Sequence, residues 1–528
     1  MASCTPTIRQ EPSVEPVADL RAEPKAEPRL ESRRELHLEP RFEPARELRQ
    51  EPKLELRQEP TAEPRQEPKL EPRLEPVSDA SEPTVELIPD TSEPTVEPGL
   101  ERTTPDWGMP DDHSLEKVPS NINWASLQWP PSISVKVGQT SRAIYGQLYV
   151  KGLTDTVKAA HPGLRAELGA GPWGTTPQSH PSQWTWVAAR YVKNAGVGGN
   201  NHEYSANLTL KKAGLYQYAY RFSLYRGPWQ VADRSDYGRK GTDDGVSLQE
   251  LGVAVVAKSG ASLRIGSMNL HCLVEKPDQR FREMARQWAR MQLDVIGLQE
   301  VCVPAAGGTN AAETLAALLK KAGAGQYRAL FVPTHTATHA GVSYREGLGL
   351  LTRVPVLESK DSLLPASGTR PAGAFPRRML WARLATPVGV VALGTVHLSY
   401  RRNHESWRVK QVETIKKVMA SNETWASAKL VVGDFNAGAT TLPIVTMKIA
   451  GQPSGTAAFV DLLAGFDTGF TFPAKSPSLR IDYLFFSQPS AAPLPLKAQG
   501  GQRLFLKPLS GGVYLSDHLG LRATLILR

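Results

Sequence analysis

Apolar positions along this chain change their rhythm twice. From residue 262 onward, short apolar runs alternate with stretches of helical period. Residues 263–268 predict a strand, Phe281, Met284, Ala285, Trp288 and Met291 recur as one helix face, and 295–298 predicts the next strand. A second helix carries Leu315, Leu318 and Leu319, and a third carries Val409, Val412, Ile415 and Met419. Further strands are expected at 347–351, 379–384, 390–396, 429–432, 481–486 and 519–527. Between 130 and 257 the helical period is missing. Apolar and aromatic stretches at 143–150, 203–210, 215–222 and 251–257 are separated by Gly, Pro and Asn, which predicts a small antiparallel β-sandwich. Upstream of that, an acidic residue recurs at every fourth position from Glu11 to Glu75, Asp19 being the one that is not Glu, and Pro follows most of them. Pro at that frequency removes the donors a helix needs, so an extended, disordered polyampholyte of polyproline-II character is expected.

The expected organisation is therefore a disordered Glu-Pro repeat over 1–120, a β-sandwich over 130–257 and an α/β domain over 262–528. A length of 528 residues with 40% hydrophobic positions and 11 Trp supplies material for two packed cores. Charge sharpens the division. Residues 1–100 hold 23 acidic and 14 basic side chains, whereas the remainder holds 30 acidic and 48 basic ones. An excess of that size favours polyanionic partners such as nucleic acid or anionic headgroups, although scattered solubility charges would give the same count. No apolar run reaches the roughly 18 residues of a membrane span, and the first 30 residues lack the apolar stretch of a secretory signal. Cys4, Cys272 and Cys302 are too few for a disulfide framework or a zinc cluster. Cys272 and Cys302 nevertheless follow closely on the polar residues Asn269 and Glu300, so neighbouring strand ends could bring them together.

Candidate chemistry sits where the apolar runs of the α/β region stop. Met268-Asn269, Gln299-Glu300, Val396-His397, Gly433-Asp434-Phe435-Asn436, Ile481-Asp482 and Ser516-Asp517-His518 end or abut expected strands, so strand ends would bring these polar groups to one rim. Carboxylates and an amide oxygen hold a hard divalent cation, and a histidine paired with a carboxylate deprotonates water. The chemistry implied is hydrolysis of a phosphate ester. In extended backbone Asp434 and Asn436 would face the same side, with Phe435 turned away. Arg401, Arg402 and Arg408 interleave with Tyr400 and Trp407, a mixture suited to a phosphate backbone and unstacked bases, or else to a solvated helix start.

In order, spacing and flanking residues these motifs resemble the endonuclease/exonuclease/phosphatase superfamily, with its deoxyribonuclease-I-like fold, over about 262–528. The resemblance implies a two-sheet α/β sandwich flanked by helices. It implies Mg²⁺ or Mn²⁺ held by Glu300, with Asn269 and Asp517 in the metal shell, and His518 as general base oriented by Asp482. Asp434 would orient or activate the water, Asn436 would contact the scissile group, and His397, supported by Glu346, would donate to the transition state. Asn269, Asn436 and Arg378 would bind substrate phosphate. Many relatives carry an acidic residue where His271 stands, which bears on the geometry and number of metal ions. More loosely, 144–149, Trp184-Thr185-Trp186, 200–204 and 216–221 resemble an immunoglobulin-like module that accompanies secreted bacterial hydrolases.

Three functions follow. The first is a nuclease, the second a phosphodiesterase of lipid headgroups, sphingomyelinase-like, or a phosphomonoesterase, and the third a silent binding module that keeps the fold. Loops rather than fold separate the first two, and a scaffold needs none of the polar set. The β-sandwich and Pro-rich stalk point to an extracellular or envelope-associated location. Oligomeric state is not encoded in any of these patterns.

Overall fold

The computed structural model describes residues 121–528 except 235–245, 340, 423–425, 467–468 and 491–493; the repeat segment expected to be disordered lies outside them. Two β-rich bodies follow one another. The first contains β1 (Trp124–Trp129), β2 (Ser132–Lys136), β3 (Ile144–Tyr149), β4 (Leu164–Pro172), β5 (Thr185–Ala188), β6 (Arg190–Ala195), β7 (Asn201–Ala206), β8 (Gly214–Leu224), β9 (Gln230–Ala232) and β10 (Gly252–Ala257). They form one sheet in the order β1-β3-β7-β6 and a second in the order β2-β10-β8-β4-β5, with β9 against β8. The sandwich is not purely antiparallel, because β10 runs parallel to β2. Much of its aromatic content is core. Tyr204, Tyr218 and Tyr220 are buried, and the Tyr220 and Tyr218 hydroxyls donate to the Ile144 and Pro130 carbonyls at 2.6 and 2.5 Å.

The second body contains β11 (Ser262–Asn269), α1 (Pro277–Met291), β12 (Val295–Pro304), α2 (Ala311–Lys321), β13 (Arg328–His339), β14 (Val342–Thr352), β15 (Val356–Leu364), β16 (Arg377–Thr386) and β17 (Gly389–His397). It continues with α3 (Glu405–Ala420), β18 (Ala428–Asp434), α4 (Leu442–Lys448), β19 (Val460–Asp461), β20 (Asp482–Ser487), β21 (Leu496–Leu504) and β22 (Gly520–Leu527). Two six-stranded sheets result, β13-β14-β12-β11-β22-β21 and β15-β16-β17-β18-β20-β19. This is the two-sheet α/β sandwich that the motifs implied. Leu263, Ile265, Leu380, Leu393, Leu430 and Leu525 belong to the apolar layer between the sheets, α1 and α2 cover the outer face of the first, and α3 and α4 cover the second.

Local signals explain the helices on the first sheet. Pro277 occupies the first turn of α1, with Asp278 near its N-terminus and Arg290 near its C-terminus, and the apolar stripe from Phe281 to Trp288 is buried. Asn310 caps α2, and the reciprocal bond from the Asn310 backbone to Glu313 completes a capping box. Strands β13, β15 and β21 were not expected from the pattern. Arg328–His339 and Val356–Leu364 are rich in polar and half-exposed positions, so an alternation read against one buried face misses them.

The β-sandwich packs directly on the α/β body. Val255, Ala385 and Val390 form a shared apolar cluster, and the Val390 amide donates to Ser134 Oγ at 2.9 Å. Among the described residues no helix is long and apolar enough to cross a membrane.

Candidate active site

Strand register builds the site. His397, the last residue of β17, pairs in register with Asp434, the last of β18, and Asp434 pairs with Asp482, the first of β20. Three polar side chains thus stand abreast at one rim. In the facing sheet Asn269 ends β11 in register with Gln299, and His518 lies just before β22. Below the rim the sheets nearly touch. A Cβ on Gly297 would come within 2.3 Å of Val432, and Gln299 Nε2 crosses the gap to Thr395 Oγ1 at 2.9 Å. Gly433 has φ +140°, and a Cβ there would lie 2.1 Å from the Val396 carbonyl. A glycine immediately before Asp434 is therefore a steric requirement.

Glu300 reaches the cleft through an irregularity. The pairing of β12 with β14 shifts between Leu298 and Val301, and Glu300 sits at φ +50° inside that bulge. The extra residue turns the carboxylate out of the sheet's alternation, and a non-glycine residue in this conformation costs about 1–2 kcal/mol. The Cys272–Cys302 disulfide, with a Cα–Cα distance of 5.1 Å, fastens the loop after Asn269 to the strand after Glu300. Closing a loop of 30 residues restricts the unfolded chain, so replacing both cysteines by Ala is expected to lower unfolding free energy by about 3–4 kcal/mol. Urea unfolding of the full chain measures this, and an unchanged midpoint would show that the bond does not stabilise the fold.

Arg280 braces the same corner from below. Its buried guanidinium donates to the carbonyls of Leu270, His271, Cys272, Val274 and Glu275 and, across the chain, to that of Leu515 at 2.8 Å. The segment leading to Asp517 and His518 is thereby tied to the segment following Asn269.

At the centre, His518 Nδ1 lies 2.9 Å from Asp482 Oδ2, and its Nε2 faces Asp434 Oδ2 at 3.8 Å. Asp434 Oδ2 also lies 3.5 Å from His397 Nε2, while Asp434 Oδ1 accepts from the Asn436 amide at 2.8 Å. Asn436 stands at φ +48°. Asp434 to Asn436 is thus a turn closed by the aspartate itself, not the extended segment expected from the alternation. Donor atoms of Asp434, Asp482 and His518 lie within 4.8 Å of one another, all buried, a grouping able to hold a metal ion.

Burial is the first cause of the electrostatics here. It lifts Glu300 to about 7, helped by the charges of Glu346 and Asp517 and opposed by the Asn269 hydrogen bond. It lifts Asp434 to about 7 as well, with Asp482 adding repulsion. Burial by itself would lower His518, but Asp482, Asp434 and Asp517 overcome it and hold the ring near 10. His397 goes the other way, well below its ordinary value, through burial and the nearby cations of Arg377 and His518.

Several expected residues take different positions. Arg378 pairs with Asp361 away from the cleft, and of the two adjacent arginines it is Arg377 that lines the cleft. Neighbours on a strand point to opposite faces, and β16 begins at Arg377, two residues earlier than the apolar run suggested. Glu346 Oε1 stands 3.6 Å from His335 Nε2 and 3.8 Å from Arg377 Nη1, and the carboxylate beside His397 is that of Asp434. Asn269 is held by hydrogen bonds at both ends of its amide. A backbone donor, the His271 amide, occupies its Oδ1 at 3.0 Å, and its NH₂ group binds Glu300 at 2.9 Å and Asp434 at 3.3 Å. Asp517 Oδ1 lies 3.7 Å from His271 Nδ1. Arg408 is buried and donates to the Ser399 and Arg401 carbonyls, which gives it a structural part, whereas Arg402 and Tyr400 do line the cleft.

Glu300, Glu346, His397, Asp434, Asn436, Asp517 and His518 surround one cleft of about 820 Å³, together with Arg377, His335, Phe375 and Phe472. Sequence reasoning missed these last four. A basic pair at a strand start was the one available signal.

Residues 266–518 match the Endonuclease/Exonuclease/phosphatase family. This segment is a phosphoric ester hydrolase domain. Similar solved structures each cover about half of the chain. A humanized D. rerio TDP2 carrying 14 mutations is 23% identical, with 50% of this chain and 98% of that one covered and a TM-score of 0.38. An endonuclease/exonuclease/phosphatase family protein from Leptotrichia buccalis is 22% identical, covering 49% and 98%, with a TM-score of 0.39. The human Nocturnin catalytic domain with bound sulfate is 17% identical, covering 51% and 94%, with a TM-score of 0.40. No curated protein matches the chain.

Proposed function

We propose that the hydrolase domain cleaves phosphodiester bonds in nucleic acid, with a divalent cation, Mg²⁺ or Mn²⁺, at Glu300 and water activated by His518 and Asp482. The observation that carries this reading is the His518–Asp482 pair at 2.9 Å opening onto the same cleft as Glu300, Asp434 and Arg377. The donor set fits a hard cation. Glu300 and Asp434 are both lifted to about 7 by burial and by neighbouring carboxylates, an arrangement of desolvated oxygens that a divalent charge relieves. Glu300 and Asp517 would hold it, with Asn269 orienting Glu300. When bound, such an ion polarises the phosphate and offsets charge on the leaving oxygen.

The chain's own residues supply the rest. Asp482 fixes His518 through Nδ1, and the carboxylates that hold the ring near 10 keep it protonated. A cation at the neighbouring carboxylates would offset that charge, and the neutral ring's Nε2 would then take a proton from water held between it and Asp434. Neutral His397 and the Asn436 amide donate to a non-bridging oxygen, and Arg377 adds fixed positive charge. Exposed Tyr400 with Arg401 and Arg402 at the rim favours a nucleic-acid strand over a lipid headgroup. The disulfide supports work in an oxidising, extracytoplasmic compartment.

Side-by-side assays of single-stranded DNA, RNA and sphingomyelin with Mg²⁺, each repeated with EDTA, test the proposal. Hydrolysis of nucleic acid that EDTA abolishes is the expected result. Activity confined to sphingomyelin would reassign the substrate, and full activity in EDTA would remove the metal.

A further inference from the structure

Among the residues lining the cleft, three rings are ordered rather than scattered. His335 and Phe375 stack with centroids 4.2 Å apart and planes 18° from parallel. Phe375 and Tyr400 are again nearly parallel, at 25°, but their centroids are 6.3 Å apart. A flat heterocycle between two facing rings needs two stacking steps, about 6.8 Å, so the centroids would have to part by about half an ångström to admit one. Both rings are open to solvent, Phe375 at 38% and Tyr400 at 48%. Large aromatic side chains are usually buried.

The arrangement is braced from both sides. Behind Phe375, the buried His335 ring is held by Thr334 Oγ1 at 2.9 Å on Nδ1 and by Glu346 at 3.6 Å on Nε2. The guanidinium of Arg401 lies 5.6 Å from the Tyr400 ring and donates to the Gly373 carbonyl. The loop bearing Tyr400 is thereby joined to the loop bearing Phe375. Both rings are close in sequence to phosphate-facing groups, Phe375 two residues before Arg377 and Tyr400 three after His397.

Resting on the phosphodiesterase reading above, we propose that Phe375 and Tyr400 clasp one unstacked base of a single-stranded nucleic acid beside the phosphate that is cleaved. Every base has a π-face, so the slot selects for an unpaired strand rather than for a sequence. Duplex ends, whose bases stack on their neighbours, would have to open first.

The test compares the full chain with the Phe375→Ala/Tyr400→Ala variant on two oligonucleotides, a normal single strand and one made entirely of abasic residues. The wild type is expected to prefer the normal strand by about 10- to 100-fold in kcat/KM, the range of one aromatic stacking contact. In the double variant that preference collapses towards unity. Phe375→Trp with Tyr400 retained keeps the preference that Phe375→Ala with Tyr400 retained weakens, which a merely structural ring would not do. Equal losses on both strands, or a preference that survives the double substitution, would overturn the slot while leaving the phosphodiesterase reading in place. A wild type that cleaves neither strand but hydrolyses sphingomyelin would overturn both.

Discussion

Glu300→Gln is expected to lower kcat for phosphodiester hydrolysis by about 10²- to 10³-fold at saturating Mg²⁺, and at the same time to stabilise the metal-free protein. The first effect follows from removing the charge that would hold the cation, a change of several kcal/mol in transition-state stabilisation. The second follows from the sign of the titration. The Glu300 carboxyl is lifted from 4.5 to about 7 in the fold, so the folded state disfavours its ionised form. Stability of the metal-free wild type should therefore fall as pH rises from about 4.5 towards 7 and level off above that, because the unfolded carboxyl ionises first. Glutamine has nothing to ionise, and the variant's stability should lose the part of this slope that belongs to Glu300. Thermal unfolding in EDTA across that window measures it, and Mg²⁺ should raise the melting temperature of the wild type more than that of the variant. Loss of stability together with loss of activity would mean that Glu300 is a structural group.

That opposition of stability and activity also explains which parts of the site were legible in the sequence. Residues that bound a regular strand could be read, because a polar residue at the end of a buried apolar run has one natural meaning. His397 and Asp434 close their strands, Asp482 opens its own, and their register across β17, β18 and β20 puts them abreast. The fold was legible for the same reason, since the central strands are apolar on both faces. Irregularities were not legible. The bulge that turns Glu300 outward and the left-handed conformation of Asn436 have no periodic signature and are the kind of strain that functional sites retain.

Parity was the second blind spot. With β16 starting at Arg377, the two adjacent arginines face opposite ways, and the apolar run that begins at Met379 could not say which one enters the cleft. Long-range partners were the third. His335 arrives on a hairpin of half-exposed strands and Phe375 on the loop before β16. Their stacking depends on pairing across the sheet, which local pattern does not contain. The corner held by Arg280 belongs here too. A single arginine at a helix start reads as solvated, and only the folded chain shows that it gathers the carbonyls of two site segments.

His518→Ala should cost about 10³-fold in kcat, within the range of a positioned general base, and Asp482→Asn about 10²-fold, because it leaves the imidazole present but unheld. The informative measurement is the double variant. If Asp482 acts only through His518, as the 2.9 Å contact to Nδ1 implies, then the pair should lose no more than His518→Ala does. Asp482 also stands in register with Asp434 and adds to the repulsion that lifts it. A second, independent role as a metal donor in the Asp434–Asp482–His518 grouping would therefore show as an additional loss in the double variant, together with weaker Mg²⁺ binding for Asp482→Asn than for His518→Ala. Non-additive losses with unchanged Mg²⁺ affinity make Asp482 a positioning residue for the base. Additive losses would move it into the metal shell and leave His518 without its orienting partner.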